Sequence, residues 1–401
     1  LRAVGEDKRG NFWTWRDAMY EVAARLDPDS YRELATGVYG EMLLAGYTTV
    51  GEFHYLHHGP GGVPYDDPNE MAFSLLEAAT EAGIRICLID ACYLQAGVDG
   101  TPLEGVQLRF GDGSGEAWDE RVRGLLASGR FFDNEGDRES PLGLPHLGVA
   151  IHSVRAVPPA AMKTVAAVAS SSLLPLHVHL SEQRAENEAC LAATGLTPTD
   201  LLASAGALSR RATAVHATHV SPGDITRLGL FGVTICACPT TERHLGDGVG
   251  PFAELLEAGA GLSIGSDSHA VTDPFDESRS VELNQRLVRE ARGLTGPLDL
   301  LDAGSCGGAR SLCLPAEGLG AGGLADLVAI STSSPRMAGQ PLDRLSAGEL
   351  AARVVYGAAP CDVDTVVVGG AVVVEGGEHV RLGPKRAVSE RLAASITALL
   401  G

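Results

Sequence analysis

Seven short apolar runs recur along the first two thirds of the chain, most of them separated by stretches able to hold a helix. This alternation is the strongest constraint on the fold, because repeated βα units specify a parallel sheet with helices on its faces. The runs are YTTVGEF (47–53), IRICLI (84–89), GVAI (148–151), LHVHL (176–180), ATAVH (212–216), VTICAC (233–238) and GLSIGS (261–266). Their nearly continuous apolar character suits strands covered on both faces. Residues 69–82 and 181–194 are two of the intervening helix-capable stretches. Seven units are one short of a (β/α)8 barrel of the TIM type, so the first barrel strand is expected upstream of residue 1. After about residue 318 the texture changes. GLADLVAIS (323–331) reads as a strand, and DTVVVGGAVVVEGGEHV (364–380) as a strand, a Gly-Gly turn and another strand. These make a small β-sandwich appendage whose N-terminal part is also expected upstream, and which must pair with other strands or pack on the barrel. The α/β chain therefore divides into a barrel (1–317), a small β domain (318–383) and a C-terminal helix (384–401).

Composition narrows the function. Of 401 residues, 45% are apolar and 20% charged, which supports a buried core, so disorder is not the default reading. The formal charge of −20 disfavours nucleic acid and anionic membranes as partners and points to a small molecule. An anionic substrate would need a local cation, which draws attention to Arg155. The eight cysteines lack the spacing of a disulfide framework or zinc ribbon and read as reduced thiols, so a cytoplasmic location is expected. Cys236 and Cys238 read as packing residues. No apolar run is long enough to span a bilayer.

The histidines and aspartates fall at the ends of the runs. His54 and Tyr55 follow the first, His152 the third, His177 and His179 lie in the fourth, His216 ends the fifth and Asp267 the seventh. In a barrel those ends converge on one face. A lone His in an apolar run is usually a hydrogen-bonded core residue; repetition at corresponding strand ends reverses that reading. His177 and His179, two apart, would share the interior face, one holding a metal and the other supporting it. Asp267 ends a buried strand, where a carboxylate is costly unless paired or bound to a metal. Glu182, just past the fourth run, suits a proton-transferring acid, although a first-turn helix glutamate is the bland alternative. Arg155 could grip a carboxylate through two hydrogen bonds or lie on the surface. His57 and His58, with GPGG after them, read as a mobile loop, and Asp247, His244 and His269 as possible borders of the pocket.

These residues resemble the formimidoylglutamate deiminases, within the amidohydrolase superfamily. The matching stretches are NFWTWRDAMY (11–20), EMLLAGYTTVGEFHYLHH (41–58), HSVRAV (152–157), LHVHLSEQ (176–183), VHATH (215–219), CPTTERHLGDG (238–248), IGSDSH (264–269) and VELNQRL (281–287). HxHxxE with a later His and SD indicates only a metal-dependent deaminase or hydrolase; GEFHYLHH together with HSVRAV is more specific. The resemblance implies one zinc ion, with iron an alternative, held by His179 and Asp267 together with an HxH pair expected upstream of Leu1. It makes Glu182 the proton shuttle, His216 the residue that positions the attacking water, and Tyr55, His152 and Arg155 the substrate-binding residues. It implies hydrolysis of N-formimino-L-glutamate to N-formyl-L-glutamate and ammonia, Asp267 taking a proton from water, and a homodimer. Two other readings compete. A deaminase of a nucleobase-like ring would want stacking aromatics in its pocket, and this chain has few aromatics. A homologue without activity would bind a ligand and leave it unchanged.

Overall fold

The computed structural model describes residues 12–131 and 145–401. Helices α1 (Phe12–Ala23) and α2 (Pro28–Ala45) lead into β1 (Thr49–His54), followed by α3 (Glu70–Ala82), β2 (Arg85–Cys92) and α4 (Gly115–Ala127). Next come β3 (His146–Ser153), α5 (Pro159–Ser171), β4 (Leu176–Leu180), α6 (Arg184–Thr194), α7 (Pro198–Ser204) and β5 (Ala212–His216). The series continues with α8 (Pro222–Phe231), β6 (Thr234–Ala237), α9 (Pro239–Leu245), α10 (Phe252–Glu257) and β7 (Gly261–Ile264). Helices α11 (Pro274–Arg289), α12 (Pro297–Asp302) and α13 (Gly308–Ser311) then lead to β8 (Leu327–Ile330), α14 (Ala347–Gly357), β9 (Val363–Val368), β10 (Ala371–Glu375), β11 (Glu378–His379) and α15 (Lys385–Leu400).

Strands β1 to β7 pair in sequence order, all parallel, and curl into a TIM-like wall. Each of the seven apolar runs overlaps one of these strands, with β1, β2 and β3 extending beyond their runs. The cause is visible in β2, where all eight residues are buried because helices cover the sheet outside and side chains fill it inside. Its two charged residues are neutralised locally. Arg85 donates to both oxygens of Asp326, at 2.8 and 2.9 Å, which ties the barrel to the start of β8. Among the described residues, no strand joins β7 back to β1.

The second sheet is antiparallel with order β11-β10-β9-β8. The Gly369-Gly370 turn has positive φ at both residues (57° and 81°) and joins β9 to β10, as the sequence required. This sheet shares the barrel's core: Val363, Val366, Val368, Val373 and Val374 belong to the same apolar cluster as Leu43 and Met42 of α2. Helix α2 starts at an Asp27 cap, whose carboxylate accepts from Ser30 N at 2.9 Å, and ends at Gly46, φ 101°. A Cβ at Gly46 would meet Val363 at 3.2 Å, so glycine serves both the cap and the contact with the second sheet. No helix among the described residues is long and apolar enough to cross a membrane.

Candidate active site

A cavity of about 1090 Å³ lies at the C-terminal ends of the parallel strands and extends along the facing edges of β1 and β7. Tyr55, His152, Arg155, His177, His179, Glu182, His216 and Asp267 all line it, so residues spread over the sequence converge as the strand ends do.

Strand β4 sets the first part of the site. Its alternation turns His177 and His179 to the same face. The two then differ in partners. His177 Nε2–H donates to the Ser311 carbonyl at 2.9 Å, and burial pushes this imidazole down to about 4. His179 Nδ1–H donates to the His152 carbonyl at 2.9 Å, which leaves Nε2 with a free lone pair. Burial and the neighbouring His216 push His179 down to about 4 as well, so it is neutral at neutral pH, the state a metal ligand needs. Donor atoms of His179, His216 and Asp267 lie within 4.8 Å of one another, and the rings of His179 and His216 stack at 5.7 Å. The neutral His179 imidazole with its pinned tautomer and the Asp267 carboxylate fit a divalent metal of the zinc kind.

Backbone strain concentrates here. Ser181, His216, Ala217, Asp267 and His269 all have φ between 37° and 69°, in the left-handed region that residues other than glycine rarely adopt. This corrects one expectation. Asp267 is not buried by its strand: β7 ends at Ile264, and the turned backbone presents the carboxylate, exposed, to the cavity. Its place beside two imidazoles, rather than a desolvation cost, is what marks it.

Glu182 lies between β4 and α6, its carboxylate 3.7 Å from His216 Nε2. Burial raises its pKa to about 7, the carboxylates of Asp267 and Glu186 adding to the effect while His216 and Arg155 oppose it. A carboxyl balanced near neutrality can both take and give a proton. Burial opposes charge on His216, yet Glu182 and Glu242 outweigh it and hold the imidazolium well above its ordinary range.

The third part of the site forms around β3. His152 packs edge-on against Tyr93 at 4.5 Å and Tyr55 at 5.0 Å. Arg155, one turn further, directs Nε at Glu186, 3.8 Å away, while its buried Nη1 has no hydrogen-bond partner. Glu186 carries no sequence signal beyond its position in the first turn of α6. Trp15, Tyr20, Phe53 and Phe275 also line the cavity, so several of the chain's few aromatics stand where a ligand would sit; composition concealed that grouping. Cys236 and Cys238 line the cavity too but stand outside the imidazole–carboxylate cluster.

Other expectations are corrected by the pleat and by burial. His54 does not join the site: Phe53 and Tyr55 face the cavity, whereas His54 turns the opposite way and lies against Tyr31 of α2. His57 and His58 are core residues, 1% and 5% exposed, not part of a mobile loop. Both backbone N–H groups donate to the Arg109 carbonyl, His57 Nε2–H donates to the Ala91 carbonyl, and His58 Nε2 meets Asp112 at 3.0 Å. His269 lines the cavity. Asp247 sits behind Glu182, accepting from Gln183, and burial with Glu182 pushes it up to about 8.

A parallel βα wall with His, Glu and Asp at its strand ends is the frame of a metal-dependent hydrolase. A model of the amidohydrolase family matches residues 2–373, and the chain belongs to that family. It is 36% identical to the formimidoylglutamate deiminase of Pseudomonas aeruginosa, over all of this chain and 84% of that one. It is 32% identical to the 8-oxoguanine deaminase of the same organism, over 88% of this chain and 77% of that one. The crystal structure of an amidohydrolase from Brucella melitensis superposes with a TM-score of 0.84 at 31% identity, covering all of this chain and 86% of that one. The chain is accordingly an amidohydrolase-type deaminase, an enzyme acting on C–N bonds, from a metal-dependent family.

Proposed function

We propose that this enzyme hydrolyses N-formimino-L-glutamate to N-formyl-L-glutamate and ammonia. The observation that carries the reading is Arg155: this cation lines the cavity that holds the proton-transfer groups, and its buried Nη1 has no hydrogen-bond partner among the described residues. An unpartnered buried donor is costly, and a substrate carboxylate would relieve it. Tyr55 and His152 flank it, and the similarity to the Pseudomonas aeruginosa deiminase supports the same substrate.

His179 and Asp267 would hold the metal, zinc by preference from the donor set. When bound, it would lower the pKa of water and polarise the amidine. The other steps belong to the chain's own groups. Arg155, with His152 and Tyr55, binds a carboxylate and fixes the distance to the formimino carbon. His216 positions water, whose oxygen adds to that carbon while Asp267 takes its proton. Glu182 delivers a proton to the amidine nitrogen, the C–N bond breaks to release ammonia, the hydroxyl proton returns to Glu182 as the formyl C=O forms, and the proton on Asp267 leaves with ammonia as ammonium.

The test is ammonia release from N-formimino-L-glutamate by the zinc-supplemented enzyme, beside Arg155→Ala. The variant should raise KM about 10- to 100-fold, the worth of one charge-assisted contact. Unchanged KM would remove Arg155 from the substrate site. The gathered aromatics favour a second reading, deamination of a planar ring amidine, which the similarity to 8-oxoguanine deaminase also supports. Ammonia from 8-oxoguanine and none from N-formimino-L-glutamate would install that reading instead.

A further inference from the structure

His216 has a carboxylate within 4 Å of each ring nitrogen, and among the described residues its buried Nδ1 has no hydrogen-bond acceptor closer than Glu242. Glu182 lies 3.7 Å from Nε2 on the cavity side, and Glu242 Oε1 lies 3.5 Å from Nδ1 on the far side. Glu242 and His216 are each 1% exposed, and Glu242 does not line the cavity, so it cannot touch a substrate there. We propose that Glu242 is a positioning residue: its Oε1 holds the Nδ1–H edge of His216 and thereby aims Nε2 at Glu182 and the reacting centre.

Three observations carry this inference. First, the backbone does not aim the ring by an ordinary strand geometry. His216 has φ 69° and Ala217 φ 52°, so the strand breaks at the histidine and something else must fix the ring. Second, Glu242 is itself fixed. The same Oε1 accepts the Cys238 N–H at 3.0 Å, across the start of α9. That start is anchored in turn, because the Thr240 N–H donates to Glu277 of α11 at 3.1 Å and the Thr240 hydroxyl donates to the same carboxyl. The chain of contacts runs from α11 through α9 to the imidazole, and every member is buried. Third, the chemistry is asymmetric. A histidine that works through one nitrogen needs the other held by a carboxylate or carbonyl, which sets ring orientation and proton location together. His179 has the His152 carbonyl for this purpose at 2.9 Å, and Glu242 Oε1, 3.5 Å from Nδ1, is the group placed to serve His216 in the same way.

The kinetic arm of the test rests on the proposed deaminase function, and the spectroscopic arm does not. In the zinc-loaded full-length enzyme labelled with ¹⁵N-histidine, the His216 Nδ1–H should give a downfield proton resonance protected from exchange, assigned by its loss in His216→Gln. Glu242→Ala should abolish that protection. Glu242→Gln should keep it, since the amide oxygen can accept both the Cys238 and the His216 N–H. In ammonia release, Glu242→Ala should lower kcat about 10- to 100-fold, as for other groups that orient a metal-site histidine, with KM within about threefold, and Glu242→Gln should restore most of the rate. A rise in KM at constant kcat would make Glu242 a substrate determinant and overturn the proposal. So would an unprotected His216 Nδ1–H in the wild-type enzyme, a measurement that decides the matter even where Glu242→Ala does not fold. No turnover of N-formimino-L-glutamate by wild type, with the resonance protected and lost in Glu242→Ala, would overturn the substrate reading and leave the positioning role standing.

Discussion

His179, His216 and Asp267 gather at the cavity; behind β1 and β2, His54, His57 and Asp90 gather in the same combination with the same spread, donor atoms within 4.8 Å. The surroundings separate them. Asp90 is fully buried and accepts from Arg121 Nη1 and Nη2 at 2.7 and 2.8 Å and from Trp118 Nε1 at 2.9 Å. Arg121 also pairs with Asp112, and His57 is tied to the Ala91 carbonyl. The carboxylate there already has its cation and its donors, and the cluster does not line the cavity. At the cavity, Asp267 is exposed and His179 turns a free lone pair inward. Two imidazoles and a carboxylate therefore do not define a metal site. A fixed guanidinium turns the set into a structural network, and access to ligand turns it into a reactive one.

The comparison can be broken at several points. The largest effect is expected at the open cluster: Glu182→Gln should cut ammonia release by about 10²- to 10⁴-fold, with an unchanged thermal midpoint. A loss of less than tenfold would remove Glu182 as the proton shuttle. Next, Arg121→Ala leaves Asp90 and Asp112 buried without their cation, and denaturant unfolding should show a loss of about 3–5 kcal/mol. A cost below about 1 kcal/mol would mean that the sealed cluster is not held by charge. Zinc titration against a chelator sharpens the contrast further. Replacing a supporting residue of a metal site costs about 10- to 100-fold in affinity, so His179→Ala should exceed that, whereas His57→Gln should leave zinc content per chain as in wild type. The smallest effect concerns acid. Burial alone would raise Asp112, but the hydrogen bond from His58 and the charge of Arg121 outweigh it and hold the carboxyl well below its ordinary range. A carboxyl lowered in the folded state stabilises fully above its unfolded value, about 4, and the stabilisation drains as pH falls below that. The stability gap between wild type and Asp112→Asn should therefore be constant from pH 6 to pH 5 and shrink between pH 4 and pH 2.

The sequence showed the wall more clearly than the site. Runs such as LHVHL and ATAVH became β4 and β5 with unchanged bounds, because burial on both faces demands apolar residues without interruption. Residues at the strand ends were legible for the same reason. His54 was misplaced because adjacent residues of a strand face opposite ways, and the register that decides which faces inward is set by neighbours distant in sequence. Glu242 and Glu186 were passed over. Each resembles an ordinary first-turn helix glutamate, and only folding brings one to His216 and the other to Arg155.

The sequence by itself determined the parallel βα order, the small second sheet with its Gly-Gly turn, and the set of His, Glu, Asp and Arg residues from which a deaminase site can be made, since periodicity and residue chemistry are local properties. The tertiary structure alone decided which imidazoles are neutralised and which stay open, that Asp267 is presented by a strained turn, that several aromatics meet in one cavity, and that Glu242 stands behind His216. Those facts depend on distances between residues far apart in the chain, and electrostatic coupling and burial are set by such distances.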